Sequence, residues 1–327
     1  MISLTSLAIA LLAAKNVAAV GSPFGYATGT TGGNSAAQAI PTSAAQLKSW
    51  LEDNVTRNIL LDRTYDFTDT EGNISGKMCK SWTCSPNPQL ILDTGSGCGS
   101  SASTTATYKK AGTSGIEVKS NKTIVGKGTS GWMQVKGKGL KLSNVSNVII
   151  QNIRISDINP QYVWGGDALY IDNSSKVWID HNYFKNVGRQ FIVTGFGAAK
   201  QVTISNNYFD GQSYFNDITG HAIDADTGSK ILIEGNYFNK VKTPSTGSTK
   251  GAAFAPTSSS MNSQCSGSLG RNCVSNTLAG GSGSLTNTAN SGILSSFTAS
   301  TVKSASIMDP AQVPSYVTSN AGLGKVN

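Results

Sequence analysis

The sequence predicts an all-β solenoid, and three observations predict it. Composition is the first. The 327 residues hold 36 glycines and only 13% charged side chains. Small polar residues are abundant, and the Leu/Glu/Lys/Ala patterning of helices is scarce, which suits many short strands and turns. A repeat is the second. Four segments read alike: Asn147-Val-Ile-Ile-Gln-Asn-Ile-Arg-Ile, Lys176-Val-Trp-Ile-Asp-His-Asn-Tyr-Phe, Gln201-Val-Thr-Ile-Ser-Asn-Asn-Tyr-Phe and Lys230-Ile-Leu-Ile-Glu-Gly-Asn-Tyr-Phe. Their first apolar residues, Val148, Val177, Val202 and Ile231, lie 29, 25 and 29 positions apart. One coil cannot bury its own apolar face, so a β-rich period of this size implies stacked coils with a continuous core. The third observation is that Asn182, Asn207 and Asn236 fall at the same place in three copies. Asparagine tolerates a left-handed turn, and its amide can hydrogen-bond to the amide one coil on.

The elements follow in chain order. Residues 1–19 form an apolar run ending in Val17-Ala-Ala, which reads as a secretory signal cut after Ala19 and is too short for a membrane span. No other run is long enough, so the expectation is a soluble, extracellular, monomeric protein made of one domain, residues 20–327. Ser43 to Asn54 has helical spacing at Leu47, Trp50 and Leu51, a cap for one end of the solenoid. The repeat then begins loosely at Gly115-Ile-Glu-Val and Asn121-Lys-Thr-Ile. After about Pro244 it gives way to a Ser/Thr/Gly-rich region, 244–327, expected to wrap the coil as long loops. Within it, Asp309-Pro310 marks the start of a short helix.

Charge and cysteines narrow the partners. The net charge is +8, but Lys and Arg are dispersed without a basic run. This disfavours nucleic acid and leaves an acidic polysaccharide or plain solvation. Five cysteines are present: Cys79, Cys84, Cys98, Cys265 and Cys273. Secretion favours disulfides, and the odd count leaves one thiol over. Cys265 and Cys273 are spaced to close a small loop. Spacing does not choose among the other three. With no CxxC pair and two histidines, no zinc site or other metal site is expected. Five sequons, at Asn54, Asn73, Asn121, Asn144 and Asn173, are candidate glycan acceptors.

Outward positions on neighbouring solenoid coils form a shelf or groove suited to a linear polymer. Asp167 and Arg189 lie on successive coils and are placed to face it. An arginine fork binds a carboxylate or ester carbonyl, and a nearby aspartate would orient it or a sugar hydroxyl. Trp164 offers a flat apolar face to a pyranose ring. The plain structural alternative is an exposed salt bridge beside a packed tryptophan. Asp180 takes the parity of Trp178, and Asp180 and His181 read as structural hydrogen-bonding residues. No Gly-x-Ser-x-Gly elbow supplies a nucleophile. A paired-carboxylate glycosidase lacks support, because Asp167, Asp172 and Asp180 form one group and no second follows.

At these residues the chain resembles the fungal pectin lyases of the pectate/pectin lyase superfamily. Asn159-Pro-Gln-Tyr-Val-Trp-Gly-Gly-Asp, Val177-Trp-Ile-Asp-His and Val187-Gly-Arg-Gln carry the resemblance. So do Asp66-Phe-Thr-Asp-Thr-Glu-Gly, Asn121-Lys-Thr-Ile and the Cys265…Leu269-Gly-Arg-Asn-Cys273 stretch. It covers nearly the whole chain. It implies a right-handed parallel β-helix and β-elimination of α-1,4-polygalacturonate: a base removes the C5 proton of a galacturonosyl unit and the 4-O bond leaves. It implies catalytic roles for Asp167 and Arg189, substrate contacts at Trp164 and Gln190, no cofactor, and a Cys79–Cys98 disulfide. The coil after Asp167 carries Gly188-Arg189-Gln190 in place of further acidic ligands, which favours the calcium-free branch acting on methyl-esterified pectin.

One departure is large. After Asp210-Gly-Gln-Ser213 the family continues for two more coils, which carry a cysteine and the arginine held to be the base. This chain passes directly to Tyr214-Phe-Asn-Asp. The resemblance therefore also implies that Cys84 has lost its partner, and that the alternative to a lyase is a β-helix that at most binds pectin.

Overall fold

The computed structural model describes residues 21–80, 87–95, 97–128, 134–210, 223, 225, 227–239, 241–247, 250–320 and 322. The expected signal segment 1–19, Cys84, His221 and the Ser213–Tyr214 junction lie outside the described residues.

Among the described residues, three parallel sheets build the main stack. The first contains Gln38–Ala39, Arg57–Leu61, Lys122–Gly126, Ser146–Gln151, Ser175–Asp180 and Lys200–Ser205 in that order. The second contains Thr64–Asp66, Gln134–Lys136, Arg154–Ile158, Tyr183–Val187 and Tyr208–Asp210. The third contains Ile116–Glu117, Leu140–Ser143, Leu169–Asp172 and Ile192–Thr194. The chain visits third, first and second sheets in rotation, so each circuit is one coil of an all-β parallel β-helix. The repeat is in the register read from the sequence: Val148 lies opposite Val177, and Val177 opposite Val202.

Identical inward positions pile along the axis to make the core. Ile59, Ile124, Ile150 and Ile179 are successive partners in the first sheet and are all fully buried. Tyr65, Val135, Ile155 and Phe184 do the same in the second. Both rows then open. The next partners, Ile204 and Phe209, are 44% and 46% exposed.

The fourth repeat does not extend this stack among the described residues. Lys230–Leu232 instead pairs in parallel with Ala252–Phe254, and Tyr237–Asn239 with Thr277–Ala279. The Asn ladder divides in the same way. The Asn182 amide donates to Asn207 Oδ1 at 3.0 Å, whereas that of Asn236 donates to Asn276 Oδ1 at 3.0 Å. The region after 244 is thus more than a wrapping: it supplies the partner strands of a second, short stack. A smaller core around Phe254, Leu269, Ile293 and Leu294 supports it.

Helix Ala44–Glu52 closes the first end. Ser43 caps it by accepting from the Gln46 amide at 3.1 Å, and Leu47 and Leu51 enter the core fully buried. Below it, buried Lys122 donates to Asp53 at 2.6 Å, and Arg57 pairs with the same carboxylate. The terminal helix, Val313–Asn320, begins after a turn in which Asp309 accepts from the Ala311 amide at 2.9 Å. Disulfides join Cys79 to Cys98 and Cys265 to Cys273.

One feature lacks any sequence signal. Residues 21–39 run as a strap across the outer face of the first sheet. Phe24 meets Trp178 edge-on, the Ala27 amide donates to Thr203 Oγ1 at 3.0 Å, and the Thr31 and Gly32 amides donate to Asn147 Oδ1. The strap ends by pairing Gln38–Ala39 with Asn58 and Ile59. It is why Trp178, an outward residue, is only 3% exposed.

Candidate active site

A groove of about 410 Å³ runs over the outer face of the third sheet. Its floor is a register row, Glu117, Lys141 and Tyr170 on successive coils. The turn Lys110–Thr113 and the following Ser114 and Gly115 form one wall, and Trp164, Gly166, Asp167 and Arg189 form the other.

Asp167 precedes the strand Leu169–Asp172. Its Oδ1 accepts from the Gln190 amide at 3.0 Å. Burial pushes its carboxyl above the usual range, and the Gln190 hydrogen bond and the Arg189 charge offset this only in part. Gly139 passes beneath it so closely that a Cβ there would lie 2.1 Å from the Asp167 carbonyl oxygen.

Trp164 has φ of 72°, a left-handed conformation that is rare and costly for a bulky side chain. A tight turn holds it there, with the Gly165 amide donating to Tyr162 O at 2.9 Å and the Arg189 amide to Gly166 O at 3.1 Å. The neighbouring Val163 packs on the Cys79–Cys98 disulfide and Ile91, anchoring this wall. The guanidinium of Arg189 lies 3.8 Å from the centre of the Trp164 ring. Arg189 is therefore held by a cation–π stack rather than against the Asp167 carboxylate, and it covers one face of the ring that spacing had offered to a sugar.

Gln190 does not line the groove. It acts through its main chain, with its amide on Asp167 and its carbonyl accepting from Ala168 at 2.9 Å. Its side-chain Oε1 is buried without a partner. The structure thus gives Gln190 a main-chain hold on Asp167 rather than a side chain in the groove lining.

Asp180 and His181 sit apart from the groove, at the end of a first-sheet strand. Asp180 is 2% exposed and accepts from Gln151 at 2.8 Å, Ser205 at 2.7 Å, Asn206 at 3.1 Å and His181 Nδ1 at 2.6 Å. Burial acts to raise its pKa, but the hydrogen bonds from His181, Gln151 and Ser205 outweigh it and hold the carboxyl below its ordinary value.

The groove does not suit a divalent cation. Its three carboxylates are dispersed and engaged: Glu117 pairs with Lys141 at 2.9 Å, Asp172 Oδ1 accepts from the Gly197 amide at 2.6 Å, and Asp167 holds the Gln190 amide. Among the described residues no three His, Cys, Asp or Glu side chains group together.

A family model described as Pectate lyase matches residues 1–255. The chain belongs to the pectate lyase family. Its relatives include the "Probable pectin lyase F-2" of Aspergillus terreus, 41% identical over 98% of this chain and 78% of that one. The "Probable pectin lyase F" of Aspergillus niger is 40% identical over 98% and 79%. Among solved structures, a Bacillus pectate lyase in complex with trigalacturonate is 20% identical, with a TM-score of 0.46, over 94% of this chain and all of that one. The Aspergillus terreus alignment runs over 378 positions. Against the 327 residues of this chain, that leaves at least 51 positions of the relative without a counterpart.

Proposed function

We propose that this pectate lyase family member is a secreted pectin lyase. In this reading it cleaves methyl-esterified α-1,4-polygalacturonate within the chain by β-elimination and without calcium. The observation that carries the reading is the convergence of Asp167, Arg189 and Trp164 on one groove. Arg189 presents its donors to the uronyl ester carbonyl, and polarising that carbonyl acidifies C5–H. Asp167, whose burial makes it more basic than a free aspartate, takes the C5 proton. The released electron pair forms the C4–C5 double bond. The C4–O bond breaks, and the departing oxygen takes a proton from solvent.

The ester preference follows from local charge. The groove is lined by three carboxylates, Glu117, Asp167 and Asp172, and two cations, Lys141 and Arg189, although the whole chain carries +8. Such a lining repels a run of free uronates and accepts neutral esters. Calcium takes six or more oxygens, and the engaged, dispersed carboxylates do not supply them. Trp178 and Ile149 are covered by the strap, so Asp180 and His181 serve that outer face rather than the reaction.

Purified protein on highly methylated pectin, with a chelator present, should release unsaturated product, measured by its absorbance, and should act less on polygalacturonate. A second reading is a β-helix that binds pectin without turnover. The 51 or more unmatched positions and the exposed row ends at Ile204 and Phe209 favour it. Pectin binding in calorimetry with no unsaturated product would select this second reading.

A further inference from the structure

We propose that Asn159 is a positioning residue that bolts the two walls of the groove together. The inference rests on reading the groove as a pectin cleft. Asn159 is 5% exposed and does not line the groove. Its Oδ1 accepts from the Lys109 amide at 3.1 Å, and its Nδ2 donates to Lys109 O at 2.9 Å and to Gly165 O at 2.8 Å. Lys109 leads directly into the turn Lys110–Thr113 of one wall. Gly165 lies between Trp164 and Asp167 in the other. A single buried amide thus replaces the ladder that two adjacent strands would have made, and both its amide hydrogens are used.

Glycines from three segments crowd around it. A Cβ at Gly112 would lie 2.4 Å from Asn159 Nδ2, one at Gly165 2.7 Å from its Cβ, and one at Gly188 3.0 Å from its carbonyl oxygen. A Cβ at Gly166 would lie 2.0 Å from Gly112 O, so the two walls touch main chain to main chain. Such contacts tolerate no added methyl without displacing a wall. Asn159 itself has φ of 40°, which asparagine bears better than most residues. Lys138 supports only the first wall. It donates to Ala111 O at 3.0 Å, Ser114 Oγ at 3.2 Å and Glu71 at 2.7 Å. Asn159 reaches both.

The separation between Arg189 with Trp164 on one side and Thr113 with Ser114 on the other is therefore set by Asn159. Displacing a wall by about 1 Å can cost on the order of a hundredfold in a positioned site. Hydrogen exchange read by peptide mass spectrometry tests this without any ligand. Asn159→Ala should speed exchange at least about tenfold in both 106–115 and 160–168, while Ser146–Gln151 and Ser175–Asp180 keep their protection. Gly112→Ala, whose Cβ would meet Asn159 Nδ2 at 2.4 Å, should give the same two-wall pattern with the asparagine still present, whereas Lys138→Met should loosen 110–115 alone. Calorimetry with a methyl-esterified oligogalacturonide, at a temperature where the variants remain folded, should then show at least about tenfold weaker binding for the first two variants.

Loosening of one wall only, of neither, or of the whole molecule would overturn the proposal, as would failure of both Asn159→Ala and Gly112→Ala to fold. If the parent protein binds no oligogalacturonide, the pectin reading fails, and the exchange pattern still decides the role of Asn159.

Discussion

The two stacks of this molecule obey the same repeat and reach different outcomes. In the first, Ile124, Ile150 and Ile179 each have a partner strand on both sides and are fully buried. In the second, Lys230–Leu232 and Tyr237–Asn239 each have one partner strand among the described residues, and Ile231 stays partly exposed. A solenoid residue is buried by its neighbours along the axis rather than by its own coil. Neighbouring coils therefore decide burial, and the repeat sequence alone does not. The groove belongs to the well-buried stack.

Breaking the comparison most strongly means attacking the first stack at its buried charge. Asp53→Asn removes a partner of Lys122, which is fully buried. It should cost about 3–5 kcal/mol, because an uncompensated buried charge remains. Urea denaturation checks this. Next is the matched pair of core truncations. Ile150→Ala should cost about 2–5 kcal/mol and Ile231→Ala markedly less, since a half-exposed site leaves no sealed cavity. Equal losses would erase the distinction between the stacks.

Acid should act on the same asymmetry. The Asp53 carboxyl is pushed up by burial, yet hydrogen bonds from Arg57 and Lys122 bring it down from 3.8 to about 2. A depressed folded-state pKa means stability that is present above the unfolded value and lost as pH falls through the folded one. Thermal melts should therefore drop as pH falls from 3.8 toward about 2. Asp180, also depressed, adds in the same direction, and Asp53→Asn should flatten the curve. The smallest effect is the cap. Ser43→Ala should cost about 1 kcal/mol and loosen the helix Ala44–Glu52 without touching the second stack.

Much of the fold was legible because solenoid periodicity is local. Val148, Val177 and Val202 repeat the register that the sheets adopt, and Ser43, Leu47 and Leu51 carry their own cap and face. The strap was not legible. Its contacts, such as Thr31 to Asn147 and Ala27 to Thr203, join residues 116 and 176 apart, and nothing near Phe24 announces them. The antiparallel pairing of Asn73–Cys79 with Ser103–Lys109 was hidden for the same reason.

In the candidate site, spacing brought Asp167, Arg189 and Trp164 together but could not say where a long side chain would rest. Arg189 lies on Trp164 because the ring is held beside it by the turn through Gly165 and Gly166. Gln190 had no signal beyond its adjacency to Arg189, and it lies outside the groove lining. Asn159 was visible only as part of a motif. Its role needs Lys109, fifty positions earlier, to be seen beside it.

The central claim is that the groove of the first stack remains a working half of a pectin lyase. The most direct measurement is release of unsaturated product from highly methylated pectin by the parent protein and by Arg189→Ala. The account predicts turnover by the parent and at least about a hundredfold less by the variant, the scale set by removing a positioned charge-stabilising donor. No product from a parent protein that still binds pectin, or equal rates from the two proteins, would contradict it.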